Sequence, residues 1–502
     1  MRDMKKTVKL NTVIVIIASL FMLSCNDNVE VKNTNELSPD SFFESLAQIE
    51  AAANAAYAQL QNSGLYQRYG YILPDTFSDE SESGGDPNFI TSFNFSMTPS
   101  LEQTTRFWNN CYNGIGACNF VLEGEENMRA RLATSNFTEA DVKDAIGQAH
   151  FLRGLYYFFL VKRYGGVPLL LKSQPTITPQ PRNTVDEVYE AIIDDFKMAS
   201  ELLFPKGSTE NGRATSGAAL GMLGKVYLHR EMYDEAQTTF AQITDYSLLP
   251  LEDYTDNFND SGEYNDESLF EVSFNGDATE QDLWSQTGIG VSEVTFHAQE
   301  YTGWGNLNPS NKLLAEFEDD DPRLNLTILQ NGVTYGPNND LIWNQGNIRW
   351  FKFSQLYDNA QVVQNGSTNA RILRYADVVL MQAEVELRLG NDAAALEFLN
   401  QIRERVEMPL YGTPEMDAAG YPVDTPSGIF NAIVHERMIE LCGEQVRFDD
   451  LVRWNLDAQE ITTNDSGQSR GYNPNVHRLM PIPQVEIDTN DGIGPEDQNP
   501  GY

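Results

Sequence analysis

The sequence predicts an all-α, helix-rich fold in which paired helices form a scaffold and one long loop-rich insertion stands apart from it. Three observations carry this. From Gly147 to Leu171 the chain reads as a helix that is apolar almost all round, through Ala149, Phe151, Leu152, Leu155, Tyr156, Phe158, Phe159 and Leu160. A helix with so narrow a polar face must be buried among other helices. Twice, at 214–243 and 376–406, small and apolar residues recur as in a tightly packed helix hairpin. In the first copy Leu223, Gly224, Tyr227, Tyr233, Ala236 and Phe240 match the tetratricopeptide pattern, and the second is looser. Between them, from Leu251 to about Ala370, the composition turns to Gly, Asn, Asp, Ser and aromatics with few helical periods.

Taken in order, residues 1–24 have a basic start (Arg2, Lys5, Lys6, Lys9) and an apolar run from Val13 to Leu23. That run has the length of a signal-peptide core and falls short of a membrane span. It ends in Phe-Met-Leu-Ser-Cys, which resembles a lipobox with Cys25 as the lipidated first residue, although Met22 and Leu23 depart from the usual pattern. Residues 26–37 are polar, lack periodicity and read as a tether. From 38 to 502 the chain reads as a single domain.

Ser38 and Pro39 supply a cap and an N1 proline for an amphipathic helix carrying Phe42, Phe43, Leu46, Ile49, Ala53, Ala56, Tyr57 and Leu60. Residues 61–104 contain Gly64, Pro74, Gly84, Gly85, Pro87 and Pro99 and are predicted as a long loop with aromatic tips at Phe89, Phe93 and Phe95. Helix is expected again over 105–122. Thr138, followed by Glu139 and Asp141, is an N-cap for the apolar helix, which stops at Gly165-Gly166 in a left-handed cap before Pro168. Asn183 and Thr184 begin a further helix over 182–204. A loop is expected over 407–426, and AIVHERMIELCGEQVRFDDLVRW reads as one long helix of mixed charge.

Composition removes several functions. With 34 Lys and Arg against 73 Asp and Glu, the net charge is −39, so nothing here could neutralise a row of phosphates and no nucleic-acid partner is expected. Loss of residues 1–24, with four basic and one acidic residue, would take the charge to −42. Cys111 and Cys118 lie about 10 Å apart if helical, beyond the roughly 7 Å that a disulfide spans. No Cys/His cluster, phosphate loop, dinucleotide fingerprint or Gly-x-Ser-x-Gly elbow occurs. His435-Glu436 begins a zinc-protease motif, but Ile439 stands where the second His would be. Acidic pairs for glycoside hydrolysis are too abundant to mean anything, and runs such as Glu318 to Asp321 read as a solvated face. No catalytic residue and no cofactor is predicted, and structural calcium in the loops is left open.

Aromatics point elsewhere. Four of the six tryptophans, Trp284, Trp304, Trp343 and Trp350, fall in the insertion. An exposed ring stacks on the apolar C–H face of a sugar while Asn, Asp, Gln or Arg bond its hydroxyls. Trp284, Trp304 and Trp343 lie in polar surroundings, as does Tyr301. Trp350 alternates like a strand residue and, with Trp108 and Trp454, is assigned to the core.

The motifs DSFFESLAQIEAAANAAYAQL, FWNNCYNGIGACNFVL, FLRGLYYFFLVKRYGGVPL, RATSGAALGMLGKVYL, NPSNKLLAEFEDDDPR, LRYADVVLMQAEVELRLG, IVHERMIELCGEQVRFDDLVRW and PIPQVEI…QNPGY resemble, in order along the chain, the SusD-like (RagB/SusD) family of Bacteroidetes glycan-binding lipoproteins. Asp27 and Glu30 resemble the acidic export signal of surface lipoproteins in that phylum. The resemblance implies four tetratricopeptide-like helix pairs, a non-catalytic role in capturing poly- or oligosaccharide, a lipid anchor in the outer membrane through Cys25, and a SusC-like TonB-dependent transporter as partner. It places the sugar platform on aromatics of the first long loop and the central insertion. Trp284, Tyr301, Trp304 and Trp343, with Phe89, are the residues predicted to bind. The negative charge favours a neutral glycan over a sulfated or uronate one, with a laminarin-type β-glucan as the working expectation and mannan, xylan or alginate as the other glycan classes. A tetratricopeptide-type protein adaptor is the alternative.

Overall fold

The structure, a computed structural model, describes residues 38–173, 178–274, 306–335, 341–344, 346–353 and 368–502. Its centre is the helix Glu139–Tyr164. The Thr138 hydroxyl accepts a hydrogen bond from Asp141 N while the Asp141 carboxylate accepts from Thr138 N, a reciprocal cap. The helix packs between Glu102–Glu123 and Val185–Leu202. Its few polar groups are spent inside the fold. Tyr156 donates to Ala56 O at 2.6 Å and Tyr164 to Thr104 O at 2.7 Å. Arg153 grips both oxygens of buried Asp195, at 2.7 and 2.9 Å. Gly165 ends the helix with φ 73° and ψ −136°. The φ is positive, as the double glycine predicts, but the ψ belongs to a region outside the left-handed helix that glycine alone enters cheaply.

Four helix pairs stack outward from this centre. Leu46–Ala58 packs on Glu102–Glu123, and Glu139–Tyr164 on Val185–Leu202. Ser216–His229 pairs with Tyr233–Phe240, and Tyr375–Arg388 with Asp392–Arg405. The third pair meets the fourth through contacts on Tyr375–Arg388, and Pro426–Glu440 lies against the fourth. Thr184 begins the Val185–Leu202 helix with the same reciprocal cap, here with Glu187. Trp108, Trp350 and Trp454 are buried as expected, and Cys111, Cys118 and Cys442 are free thiols in the interior.

Several expectations are corrected. The first helix is broken into Pro39–Phe42 and Leu46–Ala58, and Ser38 makes no side-chain cap. The 407–426 stretch holds a short helix, Pro414–Ala418, capped by Thr413. The stretch from Pro426 is two helices, Pro426–Glu440 and Arg447–Arg453, parted by a turn in which Gly443 and Gln445 have φ of 72° and 61°.

The 61–104 stretch is no surface loop. It forms helices Tyr69–Phe77 and Pro87–Phe93 and the strand Ser81–Ser83, and Phe89, Phe93 and Phe95 all face inward. Arg470 explains this packing. Its guanidinium donates to Thr76 O at 2.6 Å and Phe93 O at 3.1 Å and lies 3.9 Å from the Phe93 ring centre. One buried cation thus satisfies carbonyls that a proline- and glycine-rich chain leaves unpaired.

The insertion is closed at its base by an antiparallel pair, Ser268–Val272 with Ala370–Arg374. Above it lie two-residue ladders, Ile328–Leu329 with Arg349–Trp350 and Thr334–Tyr335 with Leu341–Ile342. Among the described residues no helix is long and apolar enough to cross a membrane.

Candidate functional site

The two regions that the aromatic argument singles out meet in space. Ser81–Ser83, from the first long segment, pairs antiparallel with Leu307–Pro309, near the middle of the insertion. Asn306 seals the join by accepting from Asp86 N at 3.0 Å through its side chain, and Ser310 Oγ donates to Asp79 O at 2.8 Å. Beside the join, Arg349 donates to Asn308 Oδ1 at 2.7 Å.

Of the five residues predicted to stack on a ligand, Trp284, Tyr301 and Trp304 lie outside the described residues. The other two are corrected. Trp343 is only 2% exposed; its Nε1 donates to Asn347 O at 2.6 Å, and it clusters with Leu329, Val333 and Phe351. Phe89 is fully buried, 5.9 Å from the Tyr69 ring. Neither offers a free face. A tryptophan in polar sequence surroundings can still be the small core of a hairpin, because a two-stranded ladder has no other means of excluding water. Ile342, beside Trp343, is the residue that faces outward, at 56% exposure. Cys25 also lies outside the described residues.

What holds this face rigid is a buried ionic lattice that sequence reading missed. Arg374, at the end of the closing ladder, bonds Glu267 at 2.7 Å, Glu440 at 2.6 Å and Glu444 at 2.7 and 2.8 Å. Arg323 reaches Asp321, Glu436 and Glu440 at 2.7, 2.6 and 3.0 Å with no exposed side-chain surface. Lys352 bonds Glu444 at 2.7 Å and the carbonyls of Glu440 and Cys442 at 3.0 Å. Burial would push the Glu440 carboxyl up, but Arg405, Arg374 and Arg323 outweigh it and hold it well below the carboxylate range. Glu436 and Glu440 stand one turn apart on a helix whose neighbours Ile433 and Ile439 are buried, and that spacing is the signal that could have found them.

The acidic run is likewise half corrected. Asp319 and Asp320 are exposed, whereas Asp321 is buried on Arg323. Glu318 receives Arg403 at 2.5 and 2.9 Å and His435 at 3.2 Å. Burial alone would raise Glu318, yet these donors hold it down to about 2. His435 is raised in turn, its burial overcome by Glu316 and Glu318. Among the described residues no three Cys, His, Asp or Glu side chains come together to hold a metal ion.

Comparison with known proteins bears on the whole chain. The profile of the SusD family matches residues 266–502, and a second profile, described as starch-binding associating with outer membrane, matches residues 27–228. The chain belongs to the SusD-like family. A SusD-like protein P2 of Formosa agariphila is 26% identical over 97% of this chain and 98% of its own. The surface glycan-binding protein A of Bacteroides fluxus is 25% identical, with a TM-score of 0.73 over 91% of this chain and 99% of its own. The protein A of Bacteroides thetaiotaomicron, solved in complex with laminarihexaose, is 23% identical, with a TM-score of 0.71 over 90% of this chain and 99% of its own. SusD-like proteins are non-catalytic, glycan-binding and associated with the outer membrane, and this chain is accordingly not an enzyme. Its scaffold is the family's helix-rich fold.

Proposed function

We propose that this SusD-like protein captures a neutral polysaccharide at the cell surface and passes its oligosaccharides to a SusC-like TonB-dependent transporter. Cys25 carries the lipid that anchors it in the outer membrane, and residues 26–37 are the tether. The ligand lies against the 251–370 insertion, where Trp284, Tyr301 and Trp304 provide the stacking rings. The observation that carries this reading is the join of the first long segment to the insertion on an ion-paired base, which gives irregular, aromatic-rich chain a fixed support.

A laminarin-type β-glucan is the first ligand to test. The charge of −39 opposes sulfated or uronate chains, and the fold is shared with a protein solved with laminarihexaose. Affinity electrophoresis through gels containing laminarin, mannan, xylan, alginate or carrageenan tests the proposal. Retardation by laminarin or another neutral glycan is expected. Retardation by alginate or carrageenan alone contradicts the neutral-glycan reading, and silence across the panel with capture of a protein other than a transporter supports an adaptor.

A further inference from the structure

A second cleft lies wholly on the helical scaffold. It has a volume of about 480 Å³ and runs between the Glu102–Glu123 helix, residues 168–170 and 178–180, and the Gln484–Thr489 helix. None of its lining residues belongs to the insertion. We propose that this cleft is a second saccharide site, taking one or two rings of a neutral sugar.

Its floor is aromatic and fixed. Tyr112 donates its hydroxyl to Pro168 O at 2.8 Å, so the ring cannot swing. Trp108 backs it at 5.0 Å between centroids and is itself met edge-on by Tyr164, also at 5.0 Å. One wall offers unspent amides. Asn109 and Asn113 stand one turn apart on the same helical face, both exposed, and neither side chain bonds to another of the described residues. The opposite wall is braced. Asn490 accepts from Gln180 N at 3.0 Å, donates to Gln180 O at 2.9 Å, and donates to Glu486 at 2.7 Å.

The chemistry selects the ligand. Free amides offer donors and acceptors together, which matches hydroxyl groups that do both. Tyr112, with Leu170 beside it, supplies the flat apolar surface for a ring's C–H face. No lysine or arginine lines the cleft among the described residues, and Glu486 and Asp491 stand at it, so an anionic sugar is repelled. The volume falls within the range of pockets that enclose small ligands. Because the walls are tied together before any ligand arrives, little ordering is left to oppose binding.

This assignment is independent of the role given to the insertion, and the experiment separates them. The double variant Trp284→Ala/Trp304→Ala removes the insertion's rings. Calorimetric titration of that variant with laminaritriose, maltotriose and mannotriose is expected to retain binding of at least one. Adding Asn113→Trp, an exposed position whose new ring would fill the cleft, is expected to weaken that binding at least tenfold without changing the thermal melt. Adding Asn109→Ala is expected to weaken it severalfold. No binding of any of the three sugars by the double variant, or binding indifferent to Asn113→Trp, overturns the proposal. Failure of the insertion reading shows separately, as equal binding by wild type and the double variant.

Discussion

Asp75 and Glu80 show how much hangs on single side chains. Both are fully buried, and each spends one oxygen on the turn that parts the last two large helices. Asp75 accepts from Gln445 N at 2.8 Å and Glu80 from Gly443 N at 2.9 Å. The second oxygen of each has no hydrogen-bond partner among the described residues. Burial first, then each other's proximity for Glu80, pushes both carboxyls above their ordinary range. The native state therefore keeps a proton that the unfolded chain releases, and stability falls as pH rises from the ordinary carboxylate range towards neutrality. Asp75→Asn keeps the accepting oxygen and removes the titration. It should melt with the wild type at pH 4 and above it at pH 8, by a margin of about 1 kcal/mol or more. Parallel melting curves across that range would contradict the account. His435 acts in the same direction with pH, although here it is the ion-paired charged form that folding favours. Its raised pKa adds stability that is complete below about 6.5 and is lost as pH passes its native value, so His435→Gln should cost most in mild acid.

At the scale of elements, the Pro426–Glu440 helix is the keel of the insertion. Glu440 faces Arg323, Arg374 and Arg405 at once, at 3.0, 2.6 and 2.6 Å. Removing one partner from a buried ion cluster typically costs about 3–5 kcal/mol, because the remaining charges are left uncompensated. Glu440→Ala should lose stability on that scale in urea unfolding, and a loss below about 1 kcal/mol would show that the lattice is not what secures the base. Periodicity made the scaffold helices legible. The capped and apolar stretches 139–164, 185–202, 216–240 and 375–405 all form close to where the pattern predicts. The lattice was not legible, since its members lie far apart in the chain and a charged residue in sequence looks solvated. The same limit turned Phe89 and Trp343 into binding residues: polar neighbours in sequence do not reveal that Arg470 draws the first segment inward or that a hairpin closes over Trp343.

At the scale of the whole molecule, an acidic, helix-rich body carries an insertion whose described base is ion-paired. A neutral ligand held by stacking and hydroxyl contacts should bind about equally at 50 mM and 500 mM salt, whereas a charged glycan would respond strongly to screening. The family was readable from ordered motifs spread along the chain, because scaffold packing constrains those residues. The insertion was readable only as a region, since irregular chain carries no period from which to infer which rings face outward. The most direct measurement is titration of wild type, Trp284→Ala and Trp304→Ala with laminarihexaose. A stacked ring contributes roughly 1 kcal/mol or more, so each loss should weaken binding about fivefold or more. Wild-type affinity in both variants would contradict the placement of the ligand on the insertion.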